Sequence, residues 1–337
     1  QPLVPRFLQG AVEAPAAFTR VVVGNAVAVF AQDLRFIREG LYRRPFDMSP
    51  RHRQWSPAFI AEKGLRYLRE SALTLGRSAR RGAADTDVWL GSKDGLYPAY
   101  YRHAFHYQSD GWLSSDSAAV YETSTETLFT GRQDAMQRTT LVHLSRHLRR
   151  AGAPADGRGV RLLELACGTG RLLSFLRDNW PGMSVTASDL SPFYLEEARR
   201  SNAYWERAFA PRGAAGSASF VQANAENLPF ADGSFDAVVA VYLFHELPAA
   251  AQEAVFAEAR RVLAPGGILV LTDSIQLGDR PLQDAVQGSF GDFAEPHYRA
   301  YIRRDLAALA RAHGLEPRAK ELSSATKSLS FVRPLEA

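Results

Sequence analysis

The residue types best suited to chemistry stand in one run, Glu164-Leu165-Ala166-Cys167-Gly168-Thr169-Gly170, at the end of the short apolar stretch VRLLELA at 160–166. A turn between a buried strand and a helix needs glycine if the backbone is to approach a ligand closely. Asp189 closes the next apolar stretch, VTASD at 185–189, 19 residues beyond Gly170. A carboxylate there can accept hydrogen bonds from both hydroxyls of a ribose. A dinucleotide is disfavoured, because the G-x-G-x-x-G pattern fails: counted from Gly168, its third glycine position is Leu173. His245 follows a later apolar run, FDAVVAVYLF at 235–244. Imidazole titrates near neutrality, so His245 could take a proton from a hydroxyl or amine; the plainer reading is a histidine satisfied by packing at a strand end.

The elements that must hold these groups alternate. After the turn, 171–180 reads as a helix, 185–189 as a strand, and 191–209 as a helix opened by Ser-Pro. Strands at 219–224, 235–244 and 267–274 follow, with helices at 248–263 and 303–314. Strands and helices in this order predict an α/β fold with a parallel sheet and right-handed crossovers. Earlier in the chain, 1–45 and 115–150 have helical apolar spacing, and AGAPADGRG at 151–159 reads as a linker. The expected division is a mainly helical cap over 1–150 and a nucleotide-binding domain over 151–337. The helix within 1–45 would suit either a membrane surface or ordinary core packing.

Composition narrows the class. The 337 residues are 46% hydrophobic and 23% charged, an ordinary globular mixture. A net charge of +4 and a pI near 9.2 fall short of a nucleic-acid footprint, so no nucleic-acid partner is expected. One cysteine, Cys167, excludes an intrachain disulfide and a multi-cysteine zinc site. His143 and His147 stand four apart with no evident third ligand, so no metal is expected. The longest apolar run, Val21 to Ala31, is too short to span a bilayer, which needs about 20 residues. A soluble protein of cytoplasm or plastid stroma is the expectation.

Taken together, ELACGTG, ASDLS at 187–191, NAENLPFADGSFDAVVA at 224–240, FHELP at 244–248 and RRVLAPGGILVLTD at 260–273 resemble the motifs of class I S-adenosylmethionine (SAM)-dependent methyltransferases. Their order is similar to the ubiquinone/menaquinone-biosynthesis type and related small-molecule enzymes. The resemblance implies a Rossmann-like, seven-stranded, mostly parallel sheet, with the tail at 315–335 supplying two antiparallel strands. It implies that Glu164 orients the methionine ammonium and that Ala166, Gly168 and Gly170 form the loop under methionine and ribose. Asp189 would hold the ribose, Leu190 would lie against the adenine, and Asn224 with the Ala225 N–H would read its edge. Tyr242 and His245 would border the methyl group. Two positions depart from the pattern. Ala166 replaces a glycine, which a negative φ would tolerate, and Asn224 replaces the commoner Asp.

The acceptor is less legible. SAM is already activated, so the protein must chiefly align a nucleophile and exclude water. The aromatic stretch 95–112, with Tyr97, Tyr101 and His106, and the loop with His297, Tyr298 and Tyr301 are the expected acceptor-binding residues; core packing is the competing reading for the stretch. The segment YPAYYRHAFHYQSDGWLSSDSAAVYE looks similar to a region of uncharacterised cyanobacterial and plastid methyltransferases. The expected function is methyl transfer to a small, partly aromatic or apolar acceptor, giving S-adenosylhomocysteine. The rivals are a silent SAM-fold binding or assembly protein and a SAM-using enzyme of other chemistry, such as aminopropyl transfer.

Overall fold

The structure, a computed structural model, describes residues 15–80, 97–102, 111–287 and 295–335. Its centre is a seven-stranded sheet in the order β3-β2-β1-β4-β5-β7-β6. The strands are β1 (Arg161–Leu165), β2 (Ser184–Asp189), β3 (Ala218–Gln222), β4 (Phe235–Val241), β5 (Leu263–Ser274), β6 (Glu316–Ser323) and β7 (Thr326–Val332). The first five are mutually parallel; β7 runs antiparallel to β5, and β6 antiparallel to β7. The expected Rossmann-like sheet with an antiparallel tail is what the chain forms.

Alternation of side chains divides the strands between two cores. Leu163 and Leu165 of β1, Val238 and Ala240 of β4, and Leu269 and Leu271 of β5 face one side. Helix α8 (Ala249–Val262) covers them, with α11 (Leu306–Ala312) and the short turn α10 (Tyr298–Tyr301). Leu162, Val239 and Val270 face the other side, against α5 (Thr139–Arg150) and α6 (Arg171–Asn179). Helix α7 (Pro192–Ala208) supplies Leu195 and Ala198 to that same core. Strand order reverses between β1 and β4, because the chain proceeds outward to β3 and then returns to start β4 beside β1. The carboxyl ends of the strands at such a switch point form the crevice where open α/β sheets bind ligands.

The N-terminal helices are α1 (Pro15–Arg38), α2 (Pro57–Arg80), α3 (Ser115–Leu128) and α4 (Gln133–Gln137), before α5. The 115–150 stretch, helical in its apolar spacing, forms three helices; Thr130 and Gly131, at φ of 52° and 76°, turn the chain between α3 and α4. α1 is tied down by a buried bidentate pair, Arg138 to Asp33 at 2.8 and 3.0 Å, with the Tyr42 hydroxyl donating to the same carboxylate at 2.6 Å. Phe36, Leu41 and Tyr42 then enter the core shared with α5 and α6. Hydroxyls of Thr140, Thr272 and Ser328 form a buried chain, 2.6 Å at each link, that fixes α5 over β5 and β7. No helix among the described residues is long and apolar enough to cross a membrane.

Two boundaries differ from expectation. β4 ends at Val241 rather than continuing to 244, since Tyr242 turns to φ 54° and Phe244–Glu246 form a 3₁₀ turn. β5 begins at Leu263, before Pro265-Gly266-Gly267, because Leu263 pairs with Phe235 across a register shift and the glycines lie within the paired segment.

Candidate active site

The turn after β1 is held by backbone bonds. The Cys167 N–H donates to the Ser188 carbonyl and the Gly170 N–H to the Cys167 carbonyl, both at 2.9 Å. Gly168 and Gly170 have φ of 56° and 77°. A Cβ at Gly170 would come within 3.0 Å of the Ala198 Cβ, so this glycine lets α7 pack against the turn. Gly170 is therefore a packing residue and not part of the cavity wall. Ala166 has φ of 50°, contrary to the negative φ expected of it. The chain reverses sharply there, and an alanine takes the left-handed conformation that a glycine would adopt at lower cost.

Asp189 organises the loop. One carboxylate oxygen accepts the Gly168 N–H and the other the Ser191 N–H, each at 2.8 Å. Ser191 in turn caps α7 by accepting from the Tyr194 N–H at 3.2 Å. Burial pushes the Asp189 carboxyl up to about 6 against the opposing pull of these N–H groups. Glu164 lies deeper, and burial, reinforced by the Asp189 charge, holds its carboxyl well above the usual range. Its Oε2 is buried with no hydrogen-bond partner. A buried carboxylate oxygen without a donor fits a ligand ammonium, and a glycine-bearing turn beside a second carboxylate fits a ribose. The residues present suit SAM.

Above this loop lies a cavity of about 820 Å³, its open mouth included. Ala166, Gly168, Asp189, Leu190, Asn224 and Ala225 line the end next to this loop. The Asn224 side-chain oxygen already accepts the Glu226 N–H at 2.9 Å, which orients its amide. The rest of the wall is aromatic: Tyr100, Tyr101, Trp112, Tyr121, Tyr194 and Tyr242. Tyr101 stacks between Tyr97 and Trp112, with centroids 5.8 and 4.8 Å away. Tyr97 backs this stack without lining the cavity, and its hydroxyl accepts from Gln222 at 3.3 Å. The Tyr100 hydroxyl bonds to Glu226, closing the wall beside Asn224.

Tyr242 borders the cavity, but His245 stands one step behind it. The His245 Nδ1 lies 2.6 Å from Asp273, and its Nε2 lies 3.2 Å from Glu246, which does line the cavity. Burial alone would lower the imidazole; the Asp273 and Glu246 carboxylates outweigh it and hold His245 well above its usual value. Glu295 is buried beside this group, and burial pushes its carboxyl up to about 8.

Besides Tyr97, three expected acceptor residues lie off the cavity wall. Tyr298 and Tyr301 are core residues, not lining residues: their rings pack 6.1 and 6.2 Å from the His245 ring. The Tyr301 hydroxyl is consumed by the Ser274 carbonyl at 2.6 Å. His297 meets the ring of Tyr100 edge-on at 6.2 Å, outside the cavity wall. His106 lies outside the described residues. Conversely, Tyr121, Tyr194, Glu226 and Glu246 line the cavity without having been singled out in the sequence. Glu246 and Glu226 had a usable signal, their places directly after His245 in FHELP and directly after Ala225 in the 224–240 motif.

A family profile described as a methyltransferase domain matches residues 162–267. Among curated proteins, demethylmenaquinone methyltransferase from Thermus thermophilus is 38% identical over 149 residues, 44% of this chain and 57% of that protein. A ubiquinone/menaquinone biosynthesis C-methyltransferase from Desulfotalea psychrophila is 32% identical over 189 residues, 55% of this chain and 70% of that protein. A solved O-methyltransferase family protein from Burkholderia thailandensis has a TM-score of 0.49 and 16% identity, covering 81% of this chain and 72% of that one. The strand order, the motif-bearing turn, the matching methyltransferase profile and the two quinone-biosynthesis relatives show that the chain belongs to the class I SAM-dependent methyltransferases, on the ubiquinone/menaquinone-biosynthesis side of that family.

Proposed function

We propose that the chain transfers the methyl group of SAM to a small, largely apolar acceptor with an aromatic or similarly flat face, releasing S-adenosylhomocysteine. One observation carries this reading: a single cavity joins the Gly168–Asp189 loop to an aromatic wall drawn from the N-terminal segment. When bound, SAM supplies a methyl group on a sulfonium that is a good leaving group. Glu164 receives the methionine ammonium. Asp189 has carboxylate lone pairs left beside its two backbone bonds, and these accept the ribose hydroxyls. Leu190 packs on the adenine, while Asn224 and the Ala225 N–H meet its edge. Tyr242 and Glu246 face the reacting end, and the rings of Tyr101, Trp112 and Tyr121 exclude water and bury the acceptor. The N-terminal helical residues act as the cap that holds those rings. Relatives named for quinone biosynthesis support a flat, apolar acceptor.

The test is calorimetry with SAM, S-adenosylhomocysteine and NAD, followed by analysis of spent cofactor after incubation with candidate quinols and phenols. Binding of the first two without NAD, and release of S-adenosylhomocysteine, is the expected result. Tight NAD binding without SAM binding would overturn the cofactor assignment. Methylthioadenosine as the product would replace methyl with aminopropyl transfer, and SAM binding without turnover would favour a silent binding module.

A further inference from the structure

Behind the acceptor wall, three side chains from two separate segments bring donor atoms to one point. His245, Glu246 and Glu295 each offer one atom, and these atoms all lie within 4.8 Å of one another. All three residues are buried, at 6%, 8% and 7% exposure. Asp273, next to the last residue of β5, fixes the imidazole. One of its oxygens takes the ring Nδ1 at 2.6 Å, and the other accepts the Phe244 N–H at 2.7 Å. The ring is thereby aimed with Nε2 toward Glu246, 3.2 Å away. A carboxylate on the far nitrogen of a histidine is how proteins orient and strengthen a metal-ligating imidazole.

We propose that His245, Glu246 and Glu295 bind a divalent first-row transition ion, with Asp273 orienting the histidine. One imidazole with two carboxylates suits ions of the manganese-to-zinc series better than magnesium or calcium, which favour all-oxygen sets. Three protein ligands leave at least one coordination position open. Glu246 is both a ligand and part of the cavity wall, so that position is available to an oxygen of the acceptor, whose hydroxyl an ion there would acidify. This last consequence rests on the proposed function; binding of the ion does not. The site departs from the absence of a metal expected from the sequence, in which His143 and His147 are the pair at ligand spacing. His245 and Glu295 are 50 positions apart and meet only through the fold.

The test uses the full chain, stripped with chelator and dialysed, then titrated with zinc chloride by calorimetry and with manganese(II) by electron paramagnetic resonance. One equivalent of ion should bind. Glu295→Gln and His245→Asn should each weaken it by at least about tenfold. SAM affinity, measured on the same Glu295→Gln preparation, should stay within about twofold of wild type, since Glu295 is not in the cofactor end of the cavity. No saturable binding of either ion by chain that still binds SAM overturns the site, as does unchanged affinity in both variants. Ion binding that responds to both variants, in a chain that binds no SAM, upholds the metal site and removes the proposed function instead.

Discussion

At the end of the cavity over Gly168 and Asp189, the surface offered to a ligand is built on a left-handed backbone turn, held by two carboxylate bonds, and on the residues that close β2 and follow β3. At the opposite wall it is the rings of Tyr101, Trp112, Tyr121 and Tyr194, brought from a 3₁₀ turn at Ala99–Tyr101, the turn before α3, α3 itself and α7. The first end is made by short runs at the ends of β1, β2 and β3, the second by rings brought together through the packing of helices and turns. A backbone-built end tolerates little change in residue type but does not depend on distant contacts. A wall of rings depends on every segment that carries them, including α3, which packs against α2 and α7. The two ends should therefore respond differently to substitution.

The largest effect should come from a residue that belongs to neither end. Tyr298→Ala removes a buried ring from the core below β4 and β5, and such truncations cost about 3–5 kcal/mol. Denaturant titration should show this loss with SAM affinity intact in whatever remains folded. A stable variant with reduced turnover would return Tyr298 to the acceptor pocket.

Asp189→Ala comes next and strikes the cofactor end alone. Two charge-assisted hydrogen bonds to the ribose would be lost, about 1.5 kcal/mol or more each, so SAM binding should weaken on the order of a hundredfold. Calorimetry decides it; a folded variant with wild-type affinity would mean that the ribose lies elsewhere. The same carboxylate gives a pH signature. Its pKa is raised to about 6 in the free chain, and only the ionised form accepts from both hydroxyls. SAM affinity should thus rise with pH, by about tenfold between pH 5 and 7, and level off above. Asp189→Ala should abolish that rise; a slope that persists in the variant would move its origin to another group, with Glu164 the nearest candidate.

The contrast between the two ends also explains what could be read from the sequence. Glu164, Gly168 and Asp189 were legible because the turn and the strand end demand those residue types at fixed spacing. So was the sheet, since β1, β2 and β4 are short apolar runs between helices of ordinary length. Tyr121 and Tyr194 were not, because nothing local distinguishes a ring facing a cavity from one facing a core. That ambiguity misplaced Tyr298 and Tyr301 in the other direction: both are aromatic and near the strand ends, yet the short α10 turns them inward. Tyr101 is the residue where the aromatic-wall reading can be sharpened. Tyr101→Leu keeps an apolar side chain but removes stacking on Trp112 and Tyr97, a loss of about 1 kcal/mol. Turnover should fall about fivefold while SAM affinity stays within about twofold, read from kcat and from calorimetry respectively. A larger loss in SAM affinity than in turnover would merge the two ends into one.

The smallest expected effect tests the backbone argument itself. Ala166 stands at φ 50° where β1 ends, and Gly168 stands at φ 56° two residues on. For an alanine the left-handed region costs about 1–2 kcal/mol, because its Cβ crowds the following carbonyl. Glycine removes that cost but loses more conformational freedom on folding, which offsets about half of the gain. Ala166→Gly should therefore stabilise the chain by about 0.5–1 kcal/mol, seen as a higher denaturant midpoint with an unchanged slope. Gly168→Ala should do the reverse by a similar amount. An added Cβ there meets nothing closer than Tyr121 at 3.9 Å, so conformation alone is altered. Gly170→Ala should cost more than either, since its Cβ would also press on Ala198 at 3.0 Å. Destabilisation by Ala166→Gly would show that side-chain packing, and not backbone conformation, sets this end of the cavity.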